Sequence, residues 1–307
     1  MPLISFLMPA KNERCYITHA ITSLVHQEWK NWELIVIDDH SEDDTLDIAQ
    51  GWSGRDSRVH CFPNKGKGII DGLNYGYSIA KGDFFKMIDA DDILDLAYSQ
   101  FVPYLLSQEA SYHDAVLIDE NQQEIGKLRN KNTFQTMDYT TAIRKIMISP
   151  PRWAWVFSRK VAMRIFPLPQ SVSPPHEDVF IALSIKKNTP ITYVPKPLYQ
   201  YRQHRGQIYG GIFNFEQKVV IRRSKSMLSV IAALHESTIA ENVDISSMLV
   251  PAKKSFEIMA LEKAGWKTII GASLSLKEKI KLAIVKKAPG LASRLSRIKS
   301  RLLIDIC

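Results

Sequence analysis

Two clusters of aspartates follow apolar segments of the chain and could together hold a metal ion. Asp38 and Asp39 come directly after the apolar residues 34–37, and the stretch at residues 89–92, Asp-Ala-Asp-Asp, comes after the largely apolar residues 84–88. Carboxylates that lie close together raise one another's pKa, and a divalent cation removes that cost. Oxygen ligands without His or Cys favour a hard ion such as Mg²⁺ or Mn²⁺. Because a diphosphate completes the coordination of such an ion well, the two clusters predict a site for a metal-bound nucleoside diphosphate.

A structural role is the alternative for these aspartates. Acidic side chains cap helices, and a helix is expected after each cluster. For Asp38 and Asp39 the sequence leaves both roles open. In residues 89–92 capping would use one acidic residue and leave two unexplained, so a functional role is favoured there.

Strands that alternate with helices are expected to position both clusters. Residues 5–8, 34–37, 59–62 and 84–88 have the composition of strands, and residues with helical spacing lie between them. This order predicts an α/β fold with a mostly parallel central sheet flanked by helices. Ligands of such sheets bind at the carboxyl ends of the strands, where both clusters fall.

After residue 105 the pattern becomes less regular. Residues 116–125 predict a hairpin, a helix is expected to begin near Glu177, and a helical region is expected from about residue 214 to the end. Further strands are predicted at residues 153–157, 191–194 and 198–201.

The net charge of +8 is concentrated in the last fifth of the chain. Residues 251–307 contain 13 Lys and Arg against 4 Asp and Glu, whereas the first 250 residues contain 27 against 28. Because the basic residues are not spread over a folded face, no nucleic acid partner is expected. Residues 276–303 predict a basic amphipathic helix, broken at Pro289-Gly290, that could lie on an anionic membrane surface. Packing on the body of the protein, or oligomerisation, is the alternative for this helix.

Composition also indicates the compartment. The three cysteines are scattered, so they predict neither a disulfide framework nor a zinc site. No apolar run approaches the roughly 18–20 residues that cross a bilayer, and the first residues lack the basic start of a signal peptide. A cytoplasmic location is expected, with the inner face of the cytoplasmic membrane as a peripheral site.

With these features the chain resembles the family 2 glycosyltransferases of the GT-A fold, and in particular bacterial, non-processive members that make surface polysaccharide or lipopolysaccharide. The resemblance covers roughly residues 3–210, and the order and spacing of its motifs make it specific. The matching blocks are residues 5–13, 36–45, 64–66, 80–83, 87–92, 177–178 and 201–204. The Gln-x-x-Arg-Trp motif of processive polymerases is absent.

The resemblance implies a role for individual residues. Asp89 and Asp91 correspond to the D-x-D pair, in which Asp91 binds the metal and Asp89 faces the ribose or the metal. His204 corresponds to a position that helps some members to hold the metal or the diphosphate, and Asp178 corresponds to the catalytic base. The residues expected to bind the nucleotide sugar are Pro9, Ala10, Asn12, Glu13, Asp39, Asn64, Lys65, Asp89 and Ala90.

The implied reaction is inverting sugar transfer that depends on Mn²⁺ or Mg²⁺. The donor is a nucleoside-diphosphate sugar, with a UDP-sugar expected, and the acceptor is a hydroxyl group of a glycan or lipid-linked glycan. Residues 1–105 would bind the nucleotide sugar, residues 106–213 the acceptor, and residues 214–307 would form a helical region with the basic tail. The alternatives are a nucleotidyltransferase that makes an activated sugar and a non-catalytic protein that binds a nucleotide sugar.

Overall fold

The computed structural model describes residues 1–130, 132–144, 149–204 and 217–239, with short stretches at 253, 256–261, 269, 279–280 and 283–284. Most of the basic amphipathic helix predicted at residues 276–303 lies outside the described residues, so it stays a prediction. Within the described part of the chain, no helix combines the length and the hydrophobicity that crossing a bilayer requires.

Strands and helices alternate along the first hundred residues, as the hydrophobic pattern predicts. The strands are β1 (Ile4–Ala10), β2 (Trp32–Asp38), β3 (Val59–Pro63), β4 (Phe84–Met87), β5 (Ile93–Leu94), β6 (Ala110–Ile118), β7 (Glu124–Leu128), β8 (Trp155–Ser158) and β9 (Ile191–Arg202). The helices are α1 (Ile17–Val25), α2 (Thr45–Ser53), α3 (Gly68–Ile79), α4 (Tyr98–Leu106), α5 (Thr133–Thr136), α6 (Tyr139–Arg144), α7 (Arg159–Ala162), α8 (Glu177–Asn188) and α9 (Gln217–Ile239).

All of these strands join one sheet, in the order β3-β2-β1-β4-β8-β6-β9-β5, with β7 paired to β6. The first four strands of that order are parallel, and β9 is parallel to β6. Strand β8 runs antiparallel to both β4 and β6. Every residue of β2 is buried, as expected for a strand with both faces covered. The predicted α/β class and its mostly parallel sheet are confirmed.

The register of the parallel strands brings the ends of β1, β2 and β4 to one edge of the sheet. Ala10 at the end of β1 pairs with Asp38 at the end of β2. Met87 at the end of β4 pairs with Leu7 of β1. The residues that follow these strands, including both aspartate clusters, therefore begin at the same edge.

Three local predictions differ from the structure in detail. The strand predicted at residues 153–157 begins only at Trp155, because Arg152–Ala154 form a turn of 3-10 helix. The strands predicted at 191–194 and 198–201 form one strand, β9, which continues through two prolines, with irregular pairing to β6 there. A short strand, β5, rather than a helix, follows residues 89–92, because it pairs with β9.

The hairpin predicted at residues 116–125 is confirmed by the pairing of β6 with β7.

The chain divides into two compact units. The first consists of Met1–Thr136, Pro150–Gln170 and Ser184–Arg202, and it contains the whole sheet. The second consists of Met137–Ser149, Ser171–Leu183 and Gln203–Cys307. The functional division into residues 1–105, 106–213 and 214–307 stays a prediction.

Candidate active site

Three carboxylates converge in the acidic turn, the name used here for residues 89–92, which follows β4. Carboxylate oxygens of Asp89, Asp91 and Asp92 all lie within 4.8 Å of one another. Asp92 is fully buried, whereas Asp89 and Asp91 are half-buried. Because no helix starts directly after this turn, helix capping does not account for these carboxylates.

Strand β9 holds the acidic turn in place. The amide of Asp89 donates to the hydroxyl of Tyr199 over 2.9 Å. At the end of the strand, the amide of Arg202 donates to Oδ1 of Asp92 over 2.7 Å, and Nε of Arg202 donates to the carbonyl oxygen of Asp91 over 2.6 Å. The guanidinium of Arg202 also lies over the ring of Tyr16, 4.7 Å from its centroid.

The acidic turn concentrates negative charge at a poorly solvated position. Burial raises the pKa of Asp92 well above its usual range, and the charges of Asp91 and Asp89 raise it further. Burial also raises the pKa of Glu13, and the charges of Asp91 and Asp89 raise it further, to about 8. The loop after β1, which carries Glu13, therefore brings a fourth carboxylate within electrostatic range of the turn.

Arg152 is a site residue that the sequence did not reveal. Its Nη2 lies 2.5 Å from Oδ1 of Asp89, and both side chains are shielded from solvent. Arg152 comes directly after Pro150-Pro151, which breaks the chain before the 3-10 helix, and this break was the only local signal. The ion pair occupies one oxygen of Asp89.

Asp39 joins the end of β2 to the start of α3. Its Oδ1 accepts hydrogen bonds from Nδ2 of Asn64 over 2.9 Å and from the amide of Gly68 over 2.6 Å. Its Oδ2 lies 3.4 Å from Nζ of Lys11. Because Gly68 is the first residue of α3, Asp39 binds an amide at the start of that helix and not of α2, the helix that follows Asp39 in the chain. Oδ1 of Asp38 is buried and has no hydrogen-bond partner in the described part of the chain.

The loops after β1 and β2 are tied together beside Asp39. Asn12 has a φ of 57°, a conformation that Asn tolerates better than most residues. Its amide donates to Oγ of Ser41 over 2.9 Å, and its Oδ1 accepts from the amide of Glu42 over 2.8 Å. Pro9 and Ala10 form the end of β1, at the base of this loop.

Lys65 and Ala90 have simpler surroundings. Lys65 is exposed, and its Nζ lies 4.3 Å from the centroid of the Tyr75 ring. Ala90 is buried inside the acidic turn. Contact of either residue with a nucleotide sugar stays a prediction.

A buried polar network lies in the sheet next to the acidic turn. Nζ of Lys86 donates to the carbonyl oxygen of Trp153 over 2.5 Å and lies 2.8 Å from Nε2 of His113. Because Nδ1 of His113 faces the carbonyl oxygen of Asp114 at 2.8 Å, Nδ1 is the protonated nitrogen and Nε2 accepts from Lys86. Burial lowers the pKa of Lys86 well below its usual range. The ring of Trp153 stacks on that of Tyr199, with centroids 4.8 Å apart, so this network supports the tyrosine that accepts from Asp89.

Asp178 and His204 belong to the second unit. Helix α8 begins at Glu177, as predicted, and Asp178 occupies its first turn. Oδ1 of Asp178 accepts from the amide of Val179 over 2.7 Å, and His204 is half-buried. The catalytic role of Asp178 and the role of His204 at the metal stay predictions.

Solved structures of other proteins share this fold over nearly the whole chain. Residues 1–349 of S. aureus TarS, in complex with UDP-GlcNAc, superpose with a TM-score of 0.56 at 13% identity, and the match covers 98% of this chain and 92% of that one. The mannosyltransferase PcManGT of Pyrobaculum calidifontis, in complex with GDP-Man and Mn²⁺, superposes with a TM-score of 0.57 at 16% identity over 97% of this chain and 87% of that one. At these identities the likeness shows the fold, which is GT-A.

Sequence relatives are glycosyltransferases. An uncharacterized glycosyltransferase of Haemophilus influenzae is 28% identical over 237 residues, which cover 73% of this chain and 72% of the relative. A GalNAc(5)-diNAcBac-PP-undecaprenol beta-1,3-glucosyltransferase of Campylobacter jejuni is 35% identical over 96 residues, which cover 31% of each chain. With other curated relatives the match covers between 28% and 62% of their length.

The sequence pattern of the family described as glycosyl transferase family 2 matches residues 5–166, more than half of the chain. This segment contains β1, β2 and β4 and the acidic turn. The chain belongs to the family 2 glycosyltransferases.

Proposed function

We propose that the protein transfers a sugar from a nucleoside-diphosphate sugar to a hydroxyl group of a glycan or lipid-linked glycan, with inversion at the sugar carbon. The observation that carries this proposal is the convergence of Asp89, Asp91 and Asp92 within 4.8 Å at the end of β4. Glu13 adds a fourth carboxylate within electrostatic range. Such a concentration of negative charge is costly unless a cation binds there.

The side chains fit a hard divalent cation. Asp89, Asp91 and Asp92 offer only oxygen ligands, which suits Mn²⁺ or Mg²⁺. Since Arg152 engages one oxygen of Asp89, Asp91 is the principal ligand in this proposal. A bound cation would stabilise the negative charge that develops on the departing diphosphate.

The residues at the ends of β1 and β2 would hold the nucleotide. Oδ1 of Asp39 is engaged by Asn64 and Gly68, so Oδ2, which lies 3.4 Å from Nζ of Lys11, would be the oxygen that faces a ribose or nucleobase. The loop that contains Asn12 begins at Pro9 and Ala10 and is tied to the loop after β2. It would form the wall beside the nucleobase. The related folds contain UDP-GlcNAc and GDP-Man, which supports a nucleotide-sugar donor, and we expect a UDP-sugar.

Asp178 would remove the proton from the acceptor hydroxyl. A carboxylate can act as a general base when it lies within hydrogen-bond reach of the attacking group. Direct attack from the face opposite the leaving diphosphate inverts the configuration, so an α-linked donor would give a β-linked product. The Campylobacter relative, whose name identifies a PP-undecaprenol acceptor, supports a lipid-linked glycan as the acceptor. The synthesis of surface polysaccharide is the proposed setting of the reaction.

The proposed location is the cytoplasm, with residues 276–303 on the anionic inner face of the cytoplasmic membrane. Flotation of the full chain with vesicles of phosphatidylglycerol, and with neutral vesicles of phosphatidylcholine, tests this location. Equal flotation with both kinds of vesicle contradicts it, because electrostatic attraction requires anionic lipid.

A thermal-shift panel of nucleoside diphosphates and nucleotide sugars tests the proposed function. Ligands that bind the folded state alone raise the melting temperature by mass action. We expect one nucleotide and its sugar derivative to raise the melting temperature in the presence of Mn²⁺. The rise should be much smaller in EDTA. If no nucleotide in the panel gives a Mn²⁺-dependent rise in the melting temperature, the proposal is contradicted. Release of the sugar from the stabilising donor to water or to a glycan then reports catalysis.

A further inference from the structure

An open cavity of about 390 Å³ lies at the surface of the second unit, beside the start of α9, and the three basic residues of α9 that line it are exposed. Its volume falls within the range of roughly 300–1,000 Å³ typical of small-molecule sites. The residues that line it are Lys218, Ile221, Arg222, Lys225 and Ser226 of α9 and Ser173 and Pro174 from the loop before α8.

The lining of this cavity is strongly basic. Lys218, Arg222 and Lys225 are spaced by four and three residues, which places them on one face of the helix. The first nine residues of α9 contain four basic side chains and no acidic one, and among the residues that the structure describes no acidic one lines the cavity. Within the described part of the chain, the ammonium groups of Lys218 and Lys225 have neither a hydrogen bond nor an ion pair. Like charges on one helix face are unfavourable, so this face is suited to a bound anion.

The loop that carries Ser173 is joined to α9 by hydrogen bonds. Oγ of Ser226 donates to the carbonyl oxygen of Ser173 over 2.5 Å, and the amide of Ser173 donates to Oγ of Ser229 over 2.9 Å. Nδ1 of His176 lies 3.1 Å from Oγ of Ser226. Because the hydroxyl proton of Ser226 points to Ser173, His176 donates from Nδ1. These hydrogen bonds, two of them part-buried and one exposed, fasten the loop to α9 beside the cavity.

The loop beside the cavity lies directly before Asp178, the residue proposed to receive the proton of the acceptor. Residues 173–176 lead directly into α8, whose first turn carries Asp178. We propose that the cavity binds a phosphate or diphosphate group of the acceptor substrate. This inference rests on the proposed function, in which Asp178 receives the acceptor proton. Ammonium and guanidinium groups form strong charge-assisted hydrogen bonds with phosphate oxygens, so a phosphate suits this lining.

Calorimetric titration of the full chain with inorganic pyrophosphate and with farnesyl diphosphate tests the inference. The buffer contains EDTA and no nucleotide, so the acidic turn cannot bind the diphosphate through a cation. We expect Lys218→Ala/Lys225→Ala to weaken binding of these probes at least tenfold. The matched control, Lys81→Ala/Lys127→Ala, removes two exposed lysines that line no part of the cavity and should bind like the wild type.

The two probes distinguish the source of the phosphate. Tighter binding of farnesyl diphosphate than of pyrophosphate supports a lipid-linked acceptor, and equal binding supports recognition of the phosphate alone, provided that the Lys218/Lys225 variant weakens both. Equal loss of binding in both double variants overturns the inference, because it indicates a non-specific effect of net charge. Failure of the wild type to bind either probe overturns it as well.

A membrane contact is the competing use of these lysines. If Lys218→Ala/Lys225→Ala reduces binding to phosphatidylglycerol vesicles but leaves diphosphate binding unchanged, the phosphate site is wrong. The test requires no sugar transfer, so its outcome is separate from that of the proposed function. Binding of diphosphate without transfer from any donor would refute the function and leave the anion site in place.

Discussion

The amide of Arg202 donates a hydrogen bond to Oδ1 of Asp92 over 2.7 Å, across 110 residues of sequence. The side chain of Arg202 reaches the same turn, because its Nε donates to the carbonyl oxygen of Asp91. Its Nη1 donates to the carbonyl oxygens of Asp119 and Glu120 over 3.1 and 3.2 Å. The last residue of β9 thus joins the acidic turn to the loop between β6 and β7.

Replacement of Arg202 tests whether this link positions the carboxylates. Arg202→Lys keeps the positive charge and the backbone hydrogen bond but loses the planar fork that reaches three carbonyl groups. We expect Mn²⁺ affinity, followed by the paramagnetic resonance signal of free Mn²⁺, to fall about tenfold. The lost hydrogen bonds should lower the free energy of unfolding by about 1–3 kcal/mol.

The control for this variant is Arg129→Lys, which changes an exposed arginine by the same chemistry. It should retain the Mn²⁺ affinity and the stability of the wild type. A folded Arg202→Lys protein with wild-type affinity for Mn²⁺ would show that the link does not position the turn.

Asp39→Asn separates the two roles that the sequence left open for Asp39. The variant loses one negative charge but retains an oxygen that can accept from Asn64 or Gly68. If Asp39 faces the nucleotide, affinity for UDP in the presence of Mn²⁺ should fall about tenfold, since hydrogen bonds to charged groups contribute about 1.5–3 kcal/mol. A lower melting temperature with unchanged UDP affinity would indicate that Asp39 only braces the start of α3.

Asp178→Asn tests the proposed general base. Loss of a general base costs about 10²–10⁴-fold in rate, so we expect kcat for transfer to fall within that range. Donor affinity should stay unchanged, because the substitution removes a proton acceptor and not a nucleotide ligand. Turnover near that of the wild type would leave Asp178 only the role of an acidic residue in the first turn of α8.

His176 gives the second unit a measurable dependence on pH. Burial, followed by the charge of Arg223, lowers the pKa of His176 to about 4, below the value of about 6.5 in the unfolded chain. Between these values the unfolded chain binds more protons than the folded one, so the free energy of unfolding falls as the pH drops from 7 to 4. The share of His176 in that fall is about 3 kcal/mol.

Comparison with His176→Asn isolates this share, because Asn does not titrate and can still bond to Ser226. Urea unfolding at several pH values should show that the wild type loses more stability than the variant below pH 6.5. Parallel curves for the two proteins would contradict the prediction.

The features that could be predicted from the sequence are determined by residues that lie close together in the chain. The apolar runs of β1, β2 and β4 are local, and the topology of parallel strands then requires their carboxyl ends to meet at one edge. Asp39 and the acidic turn can therefore be assigned to that edge from the sequence alone. The hairpin of β6 and β7 was predictable for the same reason.

The features that the sequence did not predict depend on distant partners. Arg152 meets Asp89 across 63 residues, and nothing in the local sequence of either residue indicates the other. Residues 93–94 were expected to lead into a helix, but their pairing with β9 makes them a strand. Lys86 interrupts an apolar strand, and its partners, His113 and Trp153, come from other parts of the chain.

The proposed function requires that the acidic turn hold a cation on which the binding of a nucleoside diphosphate depends. This claim can be measured by calorimetric titration of UDP and of GDP, in MnCl₂ and in EDTA, into the wild type, Asp91→Asn and Asp47→Asn. Asp47 is an exposed aspartate of α2 and serves as the control for loss of one charge. The wild type and Asp47→Asn should bind one of the two nucleotides in Mn²⁺ and at least tenfold more weakly in EDTA, whereas Asp91→Asn should lose the effect of Mn²⁺. Binding in Asp91→Asn that responds to Mn²⁺ as the wild type does, or no Mn²⁺-dependent binding of either nucleotide to the wild type, would contradict the claim.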